Sequence, residues 1–63
     1  MPLVHVNMME GRTDEQKEAL IKAVAEAVMT SIDSPEENIR VLINEYPKKH
    51  WGIGTLPADK AGR

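Results

Sequence analysis

A chain of 63 residues has room for one domain, 1–63, with a core that is marginal by itself. It contains no cysteine, and its two histidines, His5 and His50, have no metal-ligand spacing, so oligomerisation remains as the source of added stability. The net charge of −2, the absence of an apolar run of about 18 residues and the absence of a leader predict a cytoplasmic protein that binds neither nucleic acid nor membrane.

Pro2, directly after Met1, is the first candidate for chemistry. If Met1 is removed, Pro2 becomes a terminal secondary amine, and α-amino groups titrate near neutrality, at about 7.7–8.0. Nearby cations or an apolar pocket would favour the uncharged form, which can act as a base. Many proteins begin Met-Pro only because it permits processing, so Pro2 by itself leaves both interpretations open.

A strand is predicted from Leu3 to Met9, because apolar residues alternate along it. Its two faces would carry Val4, Val6 and Met8 on one side and Leu3, His5, Asn7 and Met9 on the other. A short turn, 10–12, leads into Thr13 and Gln16, which match the capping box of a helix start.

A helix is predicted from about Asp14 to about Ser31, followed by a loop over 35–38. Its apolar stripe would consist of Leu20, Ile21, Val24, Ala27, Val28 and Ile32. A second strand is predicted from Ile39 to Glu45 and a short C-terminal hairpin around Gly52 and Gly54.

This order of elements predicts an α/β (α+β) fold, a βαβ unit with parallel strands. One helix covers only one face of such a sheet. The other face would carry Leu3, Met9 and Leu42 and needs a partner, so the chain is expected to assemble into an oligomer.

Three further residues are candidates for binding. Arg12 precedes the helix N-terminus, where it either faces water among Glu10 and Asp14 or binds an anion. Arg40 interrupts an apolar strand, which reflects ordinary alternation or a guanidinium placed to hold a carboxylate. Trp51 is either a packing or interface anchor or the dry wall of a site, and the two roles are compatible.

Distance limits how these residues can meet. The path from Pro2 to Glu10 along a straight strand is about 26 Å, at ~3.3 Å per residue. An arginine side chain cannot span that gap. If Pro2 and Arg12 share a site, Arg12 must come from another subunit.

The whole chain resembles the 4-oxalocrotonate tautomerase family of the tautomerase superfamily. The resemblance rests on the Met-Pro start, the stretch 9–17 (MEGRTDEQK), Arg40-Val41 and the stretch 50–54 (HWGIG). It implies a βαβ protomer in a homohexamer, a trimer of dimers, and an isomerase that needs no cofactor. The implied reaction is keto–enol tautomerisation of a small dicarboxylate enol such as 2-hydroxymuconate, within aromatic hydrocarbon catabolism.

The resemblance also implies a role for each candidate. Pro2 would be the general acid/base, and Arg40 would hold the 1-carboxylate and 2-oxygen. Arg12 would hold the remote 6-carboxylate. Trp51 stands where the family usually has phenylalanine, which leaves the substrate preference open. The alternatives are a hydratase or dehalogenase of the same superfamily, which needs an acidic residue where this chain has 52–54 (GIG), and a non-catalytic subunit of a mixed oligomer.

Overall fold

The computed structural model describes residues 1–63 and contains a βαβ unit followed by a small hairpin. In chain order the elements are β1 Leu3–Met9, α1 Asp14–Ile32, a 3-10 turn Glu36–Asn38, β2 Arg40–Tyr46, a 3-10 turn Lys48–His50, β3 Gly52–Ile53 and β4 Leu56–Pro57. The predicted strands, helix and hairpin are confirmed. Strand β2 lies one residue later than the predicted Ile39–Glu45, and α1 extends one residue past Ser31.

Strands β1 and β2 form a parallel sheet in which Leu3 pairs with Arg40 and Met9 with Tyr46. The pairing continues at both ends. The backbone N–H of Arg40 donates to the carbonyl of Pro2 at 3.1 Å, and the N–H of Glu10 donates to the carbonyl of Tyr46 at 2.9 Å. The residue just before β1 and the residue just after it are therefore both tied to β2.

The N-terminus of α1 has the predicted capping box. The Gln16 N–H donates to Thr13 Oγ1 at 3.1 Å, and the Thr13 N–H donates to Gln16 Oε1 at 2.9 Å. One turn on, Lys17 Nζ donates to Glu45 Oε1 at 2.9 Å, and this hydrogen bond raises the pKa of Lys17 above its usual value. The first turn of the helix is thus joined to the end of β2, beside Arg12.

The apolar stripe of α1 is narrower than predicted. Leu20, Val24 and Val28 are half-buried, whereas Ala27 is exposed, Ile21 is 42% exposed and Ile32 is 63% exposed. The prediction was wrong for these three residues within a single chain, because a two-stranded sheet is too narrow to cover an apolar arc of that width. Their exposure adds to the apolar surface that the chain leaves uncovered.

The sheet face away from α1 is bare, as predicted. Leu3 is 56% exposed and Leu42 is 48% exposed, while Met9 at the end of that face is half-buried. Polar pairs cross the same face, with Asn44 Nδ2 3.4 Å from His5 Nδ1 and the Tyr46 hydroxyl donating to Asn7 at 3.2 Å.

The isolated chain has almost no interior. Ala58 is the single buried residue of 63, and the radius of gyration is 14.7 Å. A compact domain of this length would have a radius of gyration of about 11 Å. Apolar burial is the main force for folding, so a chain with this shape depends on contacts outside itself. No helix combines the length and the apolar character that crossing a bilayer requires.

Candidate functional site

Pro2 and Arg40 lie together at the amino end of the parallel sheet. Their backbones share the 3.1 Å hydrogen bond described above, and Pro2 is half-buried. Arg40 is exposed, and its Nη1 donates to the carbonyls of Glu37 at 2.9 Å and Ile39 at 3.2 Å. A guanidinium has five N–H donors. The Nη1 bonds hold the group against the loop before β2 and leave the Nε and Nη2 donors open for a carboxylate or an enolate oxygen.

Arg12 lies at the opposite end of the sheet, after β1 has ended. It is exposed and takes part in no ion pair, since both ion pairs of the chain belong to Lys17. Its side chain lines two hollows. One, of about 310 Å³, is completed by Met8, Gln16, Lys17 and Leu20. The other, of about 330 Å³, is completed by Met9, Glu10, Gly11, Lys48 and Arg63. The uncompensated guanidinium is suited to bind an anion.

Trp51 lies at the same end as Arg12. It follows the 3-10 turn that ends at His50, and its ring packs edge-to-face against Tyr46 with centroids 6.1 Å apart and planes at 63°. Tyr46 is the last residue of β2, and its carbonyl accepts the bond from Glu10. Half-buried Trp51 therefore packs on the end of β2, near the segment that carries Arg12, but it lines neither hollow.

The four candidates occupy two separate ends of one protomer. Strand β1 has seven residues, which corresponds to about 23 Å at ~3.3 Å per residue. Pro2 and Arg40 are at one end, and Arg12 and Trp51 are at the other. One chain by itself does not bring all four together. This separation agrees with the inference that a shared site needs a second subunit.

Two basic residues at the Arg12 end were not predicted as site residues. Lys48 and Arg63 line the same hollow as Arg12. In the sequence Lys48 is part of a short basic run, 48–50, which is indistinguishable from a solvated surface, and Arg63 lies 51 positions after Arg12 (63 − 12). Only the packing of the C-terminal segment reveals that they face the same hollow.

Comparison with known proteins defines the class to which this chain belongs. The family model for tautomerase enzymes matches residues 2–60. The chain is 56% identical over 63 residues to 2-hydroxymuconate tautomerase from Pseudomonas sp. strain CF600 and 52% identical to the enzyme of that name from Pseudomonas putida, each over 100% of both chains.

Solved structures indicate the same family. TomN, a 4-oxalocrotonate tautomerase homologue of tomaymycin biosynthesis, superposes with a TM-score of 0.94 at 30% identity, covering 97% of this chain and 94% of TomN. A heterohexameric 4-oxalocrotonate tautomerase from Chloroflexus aurantiacus superposes with a TM-score of 0.90 at 35% identity, covering 95% and 97%. The chain belongs to the tautomerase family. It is an isomerase, and the resemblance found in its sequence is confirmed.

Proposed function

We propose that the chain converts 2-hydroxymuconate-type dienols to conjugated 2-oxo-3-enoates, with the amine of Pro2, freed by removal of Met1, as general acid/base. The observation that carries the proposal is the strand register, which ties Pro2 directly to Arg40 at one edge of the sheet. A base and a guanidinium at one edge are the two groups that an enol acid needs: one for its proton and one for its developing oxyanion.

The proposed reaction moves one proton and changes no oxidation state. The Pro2 nitrogen accepts the 2-hydroxyl proton and returns a proton to carbon 5, so that the 2-oxo group forms and the double bond moves into conjugation. An Arg40 guanidinium holds the 1-carboxylate and 2-oxygen through its free Nε and Nη2 donors and stabilises the negative charge on that oxygen. Arg12 holds the 6-carboxylate and draws electron density toward carbon 5.

The proposed enzyme is an oligomer of identical chains, a hexamer built as a trimer of dimers. Two features of the protomer support assembly: the near absence of an interior, and the exposed apolar residues on the bare sheet face, Leu3 and Leu42. In the assembly, Arg12 and Trp51 of one chain would complete the site at Pro2 of another. Trp51 would exclude water there, and its indole, larger than a phenyl ring, would narrow the pocket.

The assembly can be checked by sedimentation velocity on the purified chain. We expect one species several times the protomer mass of 7.0 kDa and no stable folded monomer. A charge placed in the bare face, Leu42→Asp, should dissociate this species because it would bury an unpaired carboxylate. The control introduces an aspartate at an exposed position of α1, Lys22→Asp. A folded, active monomer would contradict the shared site.

A hydratase or dehalogenase needs a carboxylate to activate water. In this chain the segment after Trp51, 52–54 (GIG), supplies none. Glu10 is the single acidic residue that lines either hollow, and the surrounding cations suit it to charge balance. Tautomerisation, which needs no activated water, therefore fits these residues better.

The direct test is turnover. The purified chain, with loss of Met1 verified by intact mass, is mixed with 2-hydroxymuconate, and the absorbance of the conjugated 2-oxo-3-enoate is followed. We expect catalysis without added metal or cofactor. The proposal is rejected if a chain that lacks Met1 and forms the oligomer converts 2-hydroxymuconate no faster than the uncatalysed reaction. Activity in a mixed assembly only, after co-expression with a related subunit, would favour the non-catalytic alternative.

Arg12→Ala is expected to lower kcat/KM for 2-hydroxymuconate by about 10- to 100-fold, the range of a lost charge-assisted hydrogen bond of about 1.5–3 kcal/mol. It should lower kcat/KM for 2-hydroxy-2,4-pentadienoate, which lacks the remote carboxylate, by less than about threefold. Initial rates on both substrates measure the difference. Equal losses on both would remove Arg12 from the role of binding the remote carboxylate.

A further inference from the structure

The hollow of about 330 Å³ beyond β1 concentrates positive charge. Three cationic side chains line it, Arg12, Lys48 and Arg63, against one acidic side chain, Glu10. None of the three forms an ion pair within the chain. Glu10 offsets one of these charges, so the hollow keeps a net positive charge that attracts a further anion. The remaining lining residues, Met9 and Gly11, carry no side-chain charge.

Lys48 and Arg63 are brought to the hollow by one backbone network. The carbonyl of Lys48 accepts the N–H of Trp51 at 3.3 Å and the N–H of Ala58 at 3.1 Å. Ala58 is the buried residue of the chain, and its carbonyl accepts the N–H of Arg63 at 2.9 Å. Gly62 has φ of +79°, which a residue with a side chain rarely adopts, and this turn directs Arg63 back toward Lys48. The C-terminal segment is therefore ordered against the turn that carries Trp51.

We infer that Lys48 and Arg63 join Arg12 in holding the remote carboxylate of the substrate, and that they set the preference of the enzyme for dicarboxylates over monocarboxylates. This inference rests on the proposed function and names the residues that determine its substrate class. A carboxylate offers about four acceptor sites, of which a bidentate guanidinium fills two. The other two are open to the Lys48 ammonium and the Arg63 guanidinium.

The competing occupant of the hollow is a carboxylate from a neighbouring chain of the assembly. The two occupants predict different behaviour. If the hollow binds a substrate carboxylate, loss of Lys48 and Arg63 should lower activity on dicarboxylates alone. If the hollow binds a carboxylate of another chain, their loss should weaken the oligomer and lower activity on every substrate alike.

The test compares Lys48→Ala, Arg63→Ala and the double variant with matched controls, Lys49→Ala and Lys60→Ala, which remove neighbouring lysines that do not line the hollow. The readout is the ratio of kcat/KM for 2-hydroxymuconate to kcat/KM for 2-hydroxy-2,4-pentadienoate. We expect each single variant to lower this ratio about threefold and the double variant about tenfold, the scale of exposed charge pairs. Arg63→Lys should retain most of the ratio, and the controls should leave it unchanged.

A binding measurement separates this inference from the proposed function. Muconate and sorbate are six-carbon dienes without a 2-hydroxyl; muconate has two carboxylates and sorbate has one. Calorimetry on wild type should show tighter binding of muconate, and the double variant should lose about tenfold of that advantage. If the chain shows no turnover but this binding pattern is observed, the proposed function alone is rejected. The inference is overturned if the double variant keeps both the kcat/KM ratio and the tighter binding of muconate. It is also overturned if the double variant loses kcat/KM equally on both substrates and its oligomer dissociates.

Discussion

The chain that retains Met1 is expected to be at least about 100-fold less active than the chain that begins at Pro2, since general acid–base catalysis contributes about 10²–10⁴-fold. With Met1 attached, the Pro2 nitrogen is a tertiary amide that carries no available lone pair and cannot accept the enol proton. Neither histidine is placed to substitute for it, because His5 faces the bare sheet surface and His50 is exposed beside Lys49. Preparations made with and without methionine aminopeptidase activity, verified by intact mass, would be compared on 2-hydroxymuconate.

Pro2→Ala provides the matched control for this comparison. Its processed form has a primary amine at the same position, so part of the activity should survive, between that of the native chain and that of the Met1-retaining chain. Both preparations should form the same oligomer, because Met1 is 83% exposed and Pro2 pairs with Arg40 through its carbonyl, which neither change removes. Full activity with Met1 attached would reject Pro2 as the base.

Arg40→Ala is expected to lower kcat on 2-hydroxymuconate by about 10²–10³-fold, the cost of removing one donor that stabilises an oxyanion in a transition state. The affected step is the formation of negative charge on the 2-oxygen, so the loss should appear in kcat as well as in KM. It should also appear on 2-hydroxy-2,4-pentadienoate, which has the same 1-carboxylate and 2-hydroxyl. This distinguishes Arg40 from Arg12, whose loss should depend on the remote carboxylate.

Folding is not expected to account for the Arg40 result. The backbone bond from Arg40 to Pro2 does not involve the side chain, and the guanidinium donates only to two backbone carbonyls of the segment before β2. Thermal unfolding and sedimentation of Arg40→Ala should therefore match those of the native chain. Arg40→Lys should recover little kcat, because an ammonium lacks the planar pair of donors. If Arg40→Ala lowered kcat on 2-hydroxymuconate alone, Arg40 would bind the remote carboxylate and not the reacting end of the substrate.

Local chemistry made the elements of this protein predictable. Alternation of apolar residues in β1 and the Thr13–Gln16 capping box act over a few residues, and both appear as expected. The shift of β2 to Arg40–Tyr46 has a local cause as well. Ile39 is the C-terminal cap of the preceding 3-10 turn, where its N–H bonds to the Glu36 carbonyl, so the strand begins one residue later.

Packing made the helix face less predictable. The periodicity of α1 includes Ile21 and Ile32, but the two-stranded sheet beneath it reaches only part of that arc. Whether an apolar residue is covered depends on the size of the surface opposite it, which periodicity does not encode. In the proposed oligomer these side chains are available for contacts between subunits.

By itself the sequence determined the βαβ order, the family resemblance and the four candidate residues, because strand alternation, helix capping and the motifs around Pro2, Arg12, Arg40 and Trp51 are local patterns. The tertiary structure alone decided which residues share an end of the sheet. The 3.1 Å bond from Arg40 to Pro2 and the hollow shared by Arg12, Lys48 and Arg63 join residues 38 and 51 positions apart (40 − 2 and 63 − 12). Contacts over such separations arise from strand register and from the path of the C-terminal segment, which no short pattern records.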